Sequence, residues 1–390
     1  MLIKRLLKIA LPKRQSAFLW GARKTGKSTY LHSHYPNAIY YDLLKSDESL
    51  RLMKAPHLLR EELLMVPTAQ LQYPVIIDEI QKVPALLDEV HWLIENKKIS
   101  FILCGSSARK LKRGAANLLG GRAWKFHFYP LVFEEIDNFN LVRALNHGLL
   151  PSHYLSEQPT RALRAYVSDY LSEEIQAEGL VRNLAAFARF MDLVGFCNGQ
   201  MINYSNIARD CAIDAKTVKE YFQILKDTLT GYLIDPFFKR AKRDVIFSTP
   251  KFYLFDVGVA NFLSKTSIES LHGIAAGGAF EHFILMEIIA CLGLNEDDSP
   301  IQYWRSKNGL EVDFVLNEGH CAIEVKITEN PVMSELSGLS AFCHDYKPKH
   351  ALVVCNAPRR RLLRTENGVK IEAVPWREFL KALWAKEYFD

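Results

Sequence analysis

Short, wholly apolar runs alternate with amphipathic stretches over the first third of the chain. The runs at 17–20, 38–41, 75–77 and 101–104 are each flanked by helical periodicity. Apolar runs of this length between helices predict βαβ units and a parallel sheet buried on both faces. From about residue 160 to 229 the apolar positions recur at helical spacing with few strand signals. Short strand-like runs then return at 251–255, 312–316, 321–325 and 351–355. The pattern predicts an α/β module, a helical middle and a second α/β module. The weakest breaks lie at 149–152 and near 273–278, where glycine and alanine cluster. The residues before Ala10 mix charges with apolar positions and predict a short amphipathic helix rather than a secretory signal.

Composition narrows this only a little. Apolar residues make up 49% and charged residues 24% of 390 positions, which excludes disorder, a fibre and a small disulfide scaffold. No run is read as the roughly 18 apolar residues of a membrane span, so a cytoplasmic protein with no membrane partner is expected. The net charge of +5 is compatible with nucleic acid without pointing to it. Seven scattered cysteines with no Cys-x-x-Cys spacing suit a reducing compartment, and the twelve histidines form no zinc pattern.

The strongest chemical signal is Gly21-Ala22-Arg23-Lys24-Thr25-Gly26-Lys27-Ser28, followed by Thr29. It fits Gly-x4-Gly-Lys-Ser/Thr and joins a predicted strand to a predicted helix, the context a phosphate-cradling loop requires. Backbone N–H groups and the helix N-terminus surround phosphate oxygens, Lys27 pairs with the β- and γ-phosphates, and the Ser28 hydroxyl ligates Mg²⁺. A second signal is the apolar run that ends in Asp78 and Glu79. Asp78 is expected to hold the Mg²⁺ shell, and Glu79 to orient or deprotonate the attacking water. ATP and Mg²⁺ are therefore the expected cofactors. The third run ends in Ser106 and Ser107. Ser106, with Ser107 as second choice, either senses the γ-phosphate or is simply a helix cap. Arg122 follows Gly120-Gly121 and reads either as an arginine finger, in cis or from a neighbouring subunit, or as a surface salt bridge.

These motifs, in order with Cys104-Gly-Ser-Ser-Ala-Arg109 and Phe126-His-Phe-Tyr-Pro-Leu-Val-Phe-Glu-Glu135, resemble the prokaryotic AAA-like ATPases that carry an uncharacterised C-terminal domain. Phe252-Tyr-Leu-Phe-Asp-Val-Gly258 and Tyr303-Trp-Arg-Ser306 extend the resemblance nearly end to end. It implies a P-loop NTPase parallel-sheet domain over 1–150, a helical winged-helix domain over 151–265 and a restriction-endonuclease-like α/β domain over 266–390.

The middle segment from Tyr204 to Lys226 reads as helix-turn-helix, with Ser205 and Asp214 as caps and Ile207, Ala208, Val218, Phe222 and Leu225 as its core. Lys216, Thr217 and Lys219 fall where a recognition helix meets a groove. Lys239, Arg240, Lys242 and Arg243 form a basic loop between two strands, a wing. Nucleic-acid contact and packing against a partner or neighbouring domain are both open. DNA is preferred over RNA, and a protein partner or self-association is compatible.

Near the C-terminus, Asp313 and the pair Glu324, Lys326 lie on successive predicted strands, with Glu281 upstream in a helical pattern. This order resembles the active site of the PD-(D/E)xK nucleases. The resemblance implies that Glu281, Asp313 and Glu324 converge on Mg²⁺ while Lys326, on the same strand face as Glu324, acts at the nucleophile. Val312 stands where the family often has proline, and no downstream Gln motif is evident. The expected function is thus an ATPase coupled to a nuclease-like domain acting on nucleic acid. The alternative is an ATP-operated switch or scaffold that binds a protein partner.

Overall fold

The computed structural model describes residues 3–107, 119–171, 183–239, 244–246 and 248–389. The chain divides into two compact units, Met1–Leu131 with Asp227–Leu229, and Val132–Lys226 with Thr230–Asp390.

In the first unit five strands form one parallel sheet: β1 Ser16–Trp20, β2 Tyr40–Asp42, β3 Val75–Asp78, β4 Phe101–Gly105 and β5 Ala123–His127. Their spatial order is β2-β3-β4-β1-β5. β1, β3 and β4 are buried along their whole length, as the apolar runs require. The helices Ser46–Lys54, Leu58–Met65 and Leu86–Lys97 contribute Leu52, Leu59, Leu63, Leu86, Val90 and Leu93 to the same core as Phe18, Ile77 and Leu103. The register sets Asp78 beside Asp42 and Cys104, and Trp20 beside Gly105. The loops carrying the phosphate motif, the paired carboxylates and Ser106 therefore leave one edge, at the carboxyl ends of the strands, where ligands of open α/β sheets bind.

Two features of this unit depart from the sequence pattern. β5 was not expected; it is an edge strand with Trp124 and Lys125 exposed, so it lacks a continuous apolar run. The expected N-terminal helix does not form over the described residues of that segment. Arg5 instead donates to the carbonyls of Thr25 at 2.8 Å, Tyr129 at 2.8 Å and Pro130 at 3.1 Å, and lies over the Phe128 ring. A helix of under about 12 residues is marginal by itself, so these tertiary contacts decide the conformation.

The second unit holds a nine-stranded sheet: β6 Gln200–Met201, β7 Gly231–Pro236, β8 Lys251–Leu254, β9 Gln302–Arg305, β10 Glu311–Leu316, β11 Cys321–Lys326, β12 His350–Cys355, β13 Arg361–Glu366 and β14 Val369–Pro375. Their order is β13-β14-β12-β11-β10-β9-β7-β8-β6. β7 pairs antiparallel with β8 and parallel with β9, so strands on both sides of residue 265 share one sheet. The helices Tyr204–Cys211 and Ala215–Asp227 bury Ile207, Ala208, Val218, Phe222 and Leu225 as the spacing predicts. Asp214 caps the second, accepting from the Thr217 N–H at 3.0 Å. The first is capped by Asn203, whose Oδ1 accepts from the Asn206 N–H at 3.0 Å, and Ser205 lies within that helix rather than at its cap. An amide oxygen two residues upstream reaches the orphan N–H as well as a serine would.

The helix Gly273–Leu294 amends the sequence reading on membranes. Its 22 residues are long and apolar enough to span a bilayer by length and composition. Within this unit it is a core helix, with Phe280, Phe283, Ile284, Leu285 and Ile288 buried, and it carries Glu281, His282 and Glu287.

Candidate functional site

The phosphate motif forms the turn between β1 and the helix Lys27–His34. Gly26 has φ of 100°, a left-handed conformation that an L side chain resists, and it aims the following N–H groups into the turn. Gly21 answers a different need. A Cβ there would fall 2.3 Å from the Phe128 carbonyl oxygen, so only glycine lets β1 and the segment after β5 approach. Lys27 is buried, and its Nζ donates to the carbonyls of Gly21 at 2.7 Å and Ala22 at 3.0 Å within its own loop. Thr25 Oγ1 donates to the Ala22 carbonyl at 2.8 Å and tightens the same turn.

At the end of β3, Asp78 Oδ2 accepts from both Ser28 Oγ and Tyr40 Oη at 2.6 Å, while its Oδ1 accepts from the Glu79 N–H at 3.1 Å. Burial, then the neighbouring Asp78 charge, drive the Tyr40 phenol well above its ordinary pKa, so it stays a donor. Ser28 and Asp78 bring a hydroxyl and a carboxylate to one point, a hard-oxygen set that suits Mg²⁺. Glu79 has φ of 59°, which turns its side chain away from the strand direction. Gln81 Nε2 donates to Glu79 Oε2 and, at 3.0 Å, to Ser106 Oγ. Gly105 makes room for that amide, since a Cβ there would fall 2.4 Å from Gln81 Oε1.

Lys27, Ser28, Asp78, Glu79 and Ser106 are thus joined into one locality by direct bonds or adjacent strand ends. Tyr40 and Gln81 belong to it and were not anticipated. Gln81 stands two residues past Glu79, a position a strand-end motif leaves unread. Arg122 is elsewhere: its Nε is ion-paired with Glu95 at the exposed end of the helix Leu86–Lys97.

In the second unit, Glu281, Asp313, Glu324 and Lys326 come from the helix Gly273–Leu294, β10 and β11. Asp313 Oδ2 accepts from the Val325 N–H at 2.8 Å, and Lys326 Nζ pairs with Glu324 Oε1 at 2.7 Å. Glu324 Oε2 is buried without a hydrogen-bond partner. Burial first, and the Asp313 charge second, push the pKa values of Glu281 and Glu324 upward. Burial likewise raises that of Asp313. The sequence reading missed Lys251, Glu311, Arg305 and Tyr253. Lys251, buried on β8, pairs with Glu311 Oε1 and stands 3.7 Å from Glu281 Oε1. Glu311 Oε2 also accepts from Arg305 Nη1 at 2.6 Å, and Tyr253 Oη donates to Glu281 Oε1. Among the described residues no three His, Cys, Asp or Glu side chains are grouped to hold an ion. With an ammonium beside its carboxylates, the cluster in this arrangement does not fit a divalent cation.

Of the residues expected at nucleic acid, Lys216 and Lys219 are exposed on the helix Ala215–Asp227, with Lys219 Nζ 5.1 Å from the Tyr204 ring centre. Thr217 Oγ1 is bonded to the Asp214 cap at 2.7 Å. Lys239 is exposed, whereas Arg240, Lys242 and Arg243 lie outside the described residues.

A family model described as an AAA domain matches residues 13–137, the span that carries this nucleotide site. Over that span the chain is similar to AAA-type ATPases, and its parallel sheet and phosphate loop are those of a P-loop ATPase domain. Two domains of unknown function match the rest, DUF8612 over 138–270 and DUF4143 over 276–379. No curated protein matches. Among solved structures, the Walker-type ATPase paby2304 of Pyrococcus abyssi aligns at 14% identity with a TM-score of 0.42, covering 64% of this chain and 90% of that one.

Proposed function

We propose that the AAA-like domain hydrolyses ATP to ADP and phosphate, and that this turnover is coupled to a winged-helix and a PD-(D/E)xK nuclease-like segment acting on nucleic acid, DNA more than RNA. The observation that carries the ATPase half is the convergence of Ser28 and Tyr40 on Asp78 Oδ2, beside the Gln81-held Glu79. Residues 21–29 bind the phosphates, and Lys27 exchanges the Gly21 and Ala22 carbonyls for β- and γ-phosphate oxygens. Ser28 and Asp78 hold Mg²⁺, which when bound neutralises phosphate charge. Glu79 orients or deprotonates the lytic water, and Ser106 reads the γ-phosphate. Arg122 serves as the arginine finger after leaving Glu95, in cis or from another copy in a homo-oligomer.

In the second unit Lys216, Thr217, Lys219 and the basic loop from Lys239 contact the backbone of nucleic acid. Asp313, Glu324 and Lys326 are the residues that the PD-(D/E)xK resemblance assigns to phosphodiester hydrolysis, with Lys326 holding charge or moving a proton at the nucleophile, and this reading requires Lys251 to leave the carboxylates when a divalent cation enters. The modules divide near residues 150 and 265. A cytoplasmic location belongs to the same proposal, supported by seven cysteines that are all free thiols.

One observation favours a second reading, an ATP-operated switch or scaffold for a protein partner with a silent nuclease-like cluster. The buried Lys251–Glu311 pair already neutralises part of that cluster. The two readings separate in one experiment. ATP turnover and cleavage of single-stranded, double-stranded and branched DNA and of RNA are followed with Mg²⁺ or Mn²⁺, using wild type, Lys27→Ala and Asp313→Asn. Cleavage lost in Asp313→Asn supports the nuclease. ATP turnover without cleavage, and with no steeply salt-dependent nucleic-acid affinity, supports the protein-binding switch.

A further inference from the structure

Lys251 is an unusual residue for its position. It opens β8, a strand buried at all four residues, and its own side chain is only 5% exposed. A lone buried ammonium is costly and ordinarily loses its proton. Here the surroundings oppose that. Nζ is ion-paired with Glu311 Oε1, lies 3.7 Å from Glu281 Oε1, and stands 5.3 Å from the Tyr303 ring centre. Glu281 from the helix Gly273–Leu294 and Glu311 from β10 thus share one internal cation, donated by β8, and Asp313 lies two residues along β10 from Glu311. Beside them Glu324 Oε2 is buried and unpartnered, an oxygen with unused capacity for a positive charge.

We infer that Lys251 is the resident cation of the Glu281, Glu311, Asp313 and Glu324 cluster, and that its ammonium excludes a divalent cation from these carboxylates. The charge count gives the reason. With Lys251 in place, a divalent cation would meet an ammonium within a few ångströms, and the repulsion between the two weakens its binding there. With the ammonium removed, the carboxylates are left undercompensated and become an oxygen-rich cation site. The residue is a positioning and specificity residue, since it sets which cation the cluster accepts. The inference concerns the carboxylates of the nuclease reading and, where it holds, favours the second reading with a silent cluster; its test is a binding measurement that does not require cleavage.

The experiment titrates nucleotide-free, full-length protein with MnCl₂ and reads free Mn²⁺ by electron paramagnetic resonance. Wild type, Lys251→Met, Lys251→Gln, Lys251→Arg and the Asp313→Asn form of each are compared, so that only binding sensitive to Asp313 is counted. Wild type and Lys251→Arg are expected to bind Mn²⁺ there at least about tenfold more weakly than Lys251→Met and Lys251→Gln. Because removing a buried cation costs stability, melting temperatures are measured alongside. Mn²⁺ is expected to raise those of Lys251→Met and Lys251→Gln but not of wild type. An Asp313-sensitive Mn²⁺ site of equal affinity in wild type would overturn the inference. So would the absence of any such site in both neutral variants, or variants that stay unfolded at every Mn²⁺ concentration.

Discussion

Tyr40 Oη donates to Asp78 Oδ2 at 2.6 Å, the oxygen that also receives the Ser28 hydroxyl at 2.6 Å. One carboxylate oxygen is therefore aimed by two side chains, one from β2 and one from the phosphate-loop helix. A hydrogen bond to a charged acceptor contributes about 1.5–3 kcal/mol. Tyr40→Phe keeps the ring and its stacking on His32 while removing the donor. Mg-ATP binding is expected to weaken about tenfold, with a smaller change in kcat, as measured by titration of nucleotide at fixed Mg²⁺. Unchanged affinity would mean Tyr40 only fills space.

Gln81 ties Glu79 to Ser106 through one amide nitrogen. Gln81→Leu and Ser106→Ala should each lower kcat for ATP hydrolysis, the first by about tenfold and the second by less, with KM nearly constant. Since both act on the orientation of Glu79, the double variant should be no worse than Gln81→Leu alone. Additive losses in this double-mutant cycle would show that the two residues work independently.

The sheet of the first unit was legible because its central strands are buried on both faces and so appear as unbroken apolar runs. β5 and the β13–β14 hairpin were not, since exposed residues such as Lys125, Arg361 and Arg364 interrupt them. The phosphate loop and the Asp78–Glu79 pair are local in sequence and could be read directly. Tyr40, Gln81 and Glu311 join their clusters through tertiary contacts, which no spacing rule encodes. Lys251 did leave a trace: a lysine opening an otherwise apolar Phe-Tyr-Leu strand must be buried with a partner, although the sequence does not name it.

Asp256 is buried at the start of the helix Val257–Leu263, where it accepts from the N–H groups of Val259 at 3.0 Å and Leu149 at 2.7 Å. Burial pushes its pKa up to about 6. The folded protein therefore binds the proton more tightly than the unfolded chain. The stability this contributes is fully present below about pH 4 and is lost as pH rises through about 6, at no more than about 1.4 kcal/mol per pH unit. Asp256→Asn removes that dependence and leaves one N–H poorly paired, costing about 1–3 kcal/mol. In denaturant titrations the advantage of wild type over Asp256→Asn should be larger at pH 4.5 than at pH 6.5. An advantage that grows with pH would contradict the sign.

The most direct measurement is steady-state ATP hydrolysis by wild type, Lys27→Ala and Glu79→Gln, with nucleotide binding measured on the same preparations. Wild type should turn over ATP in a Mg²⁺-dependent manner. Lys27→Ala should lose both binding and turnover. Glu79→Gln should bind ATP nearly as wild type does while kcat falls at least about 100-fold. Turnover that survives in either variant would contradict the assignment of this site as the ATPase centre.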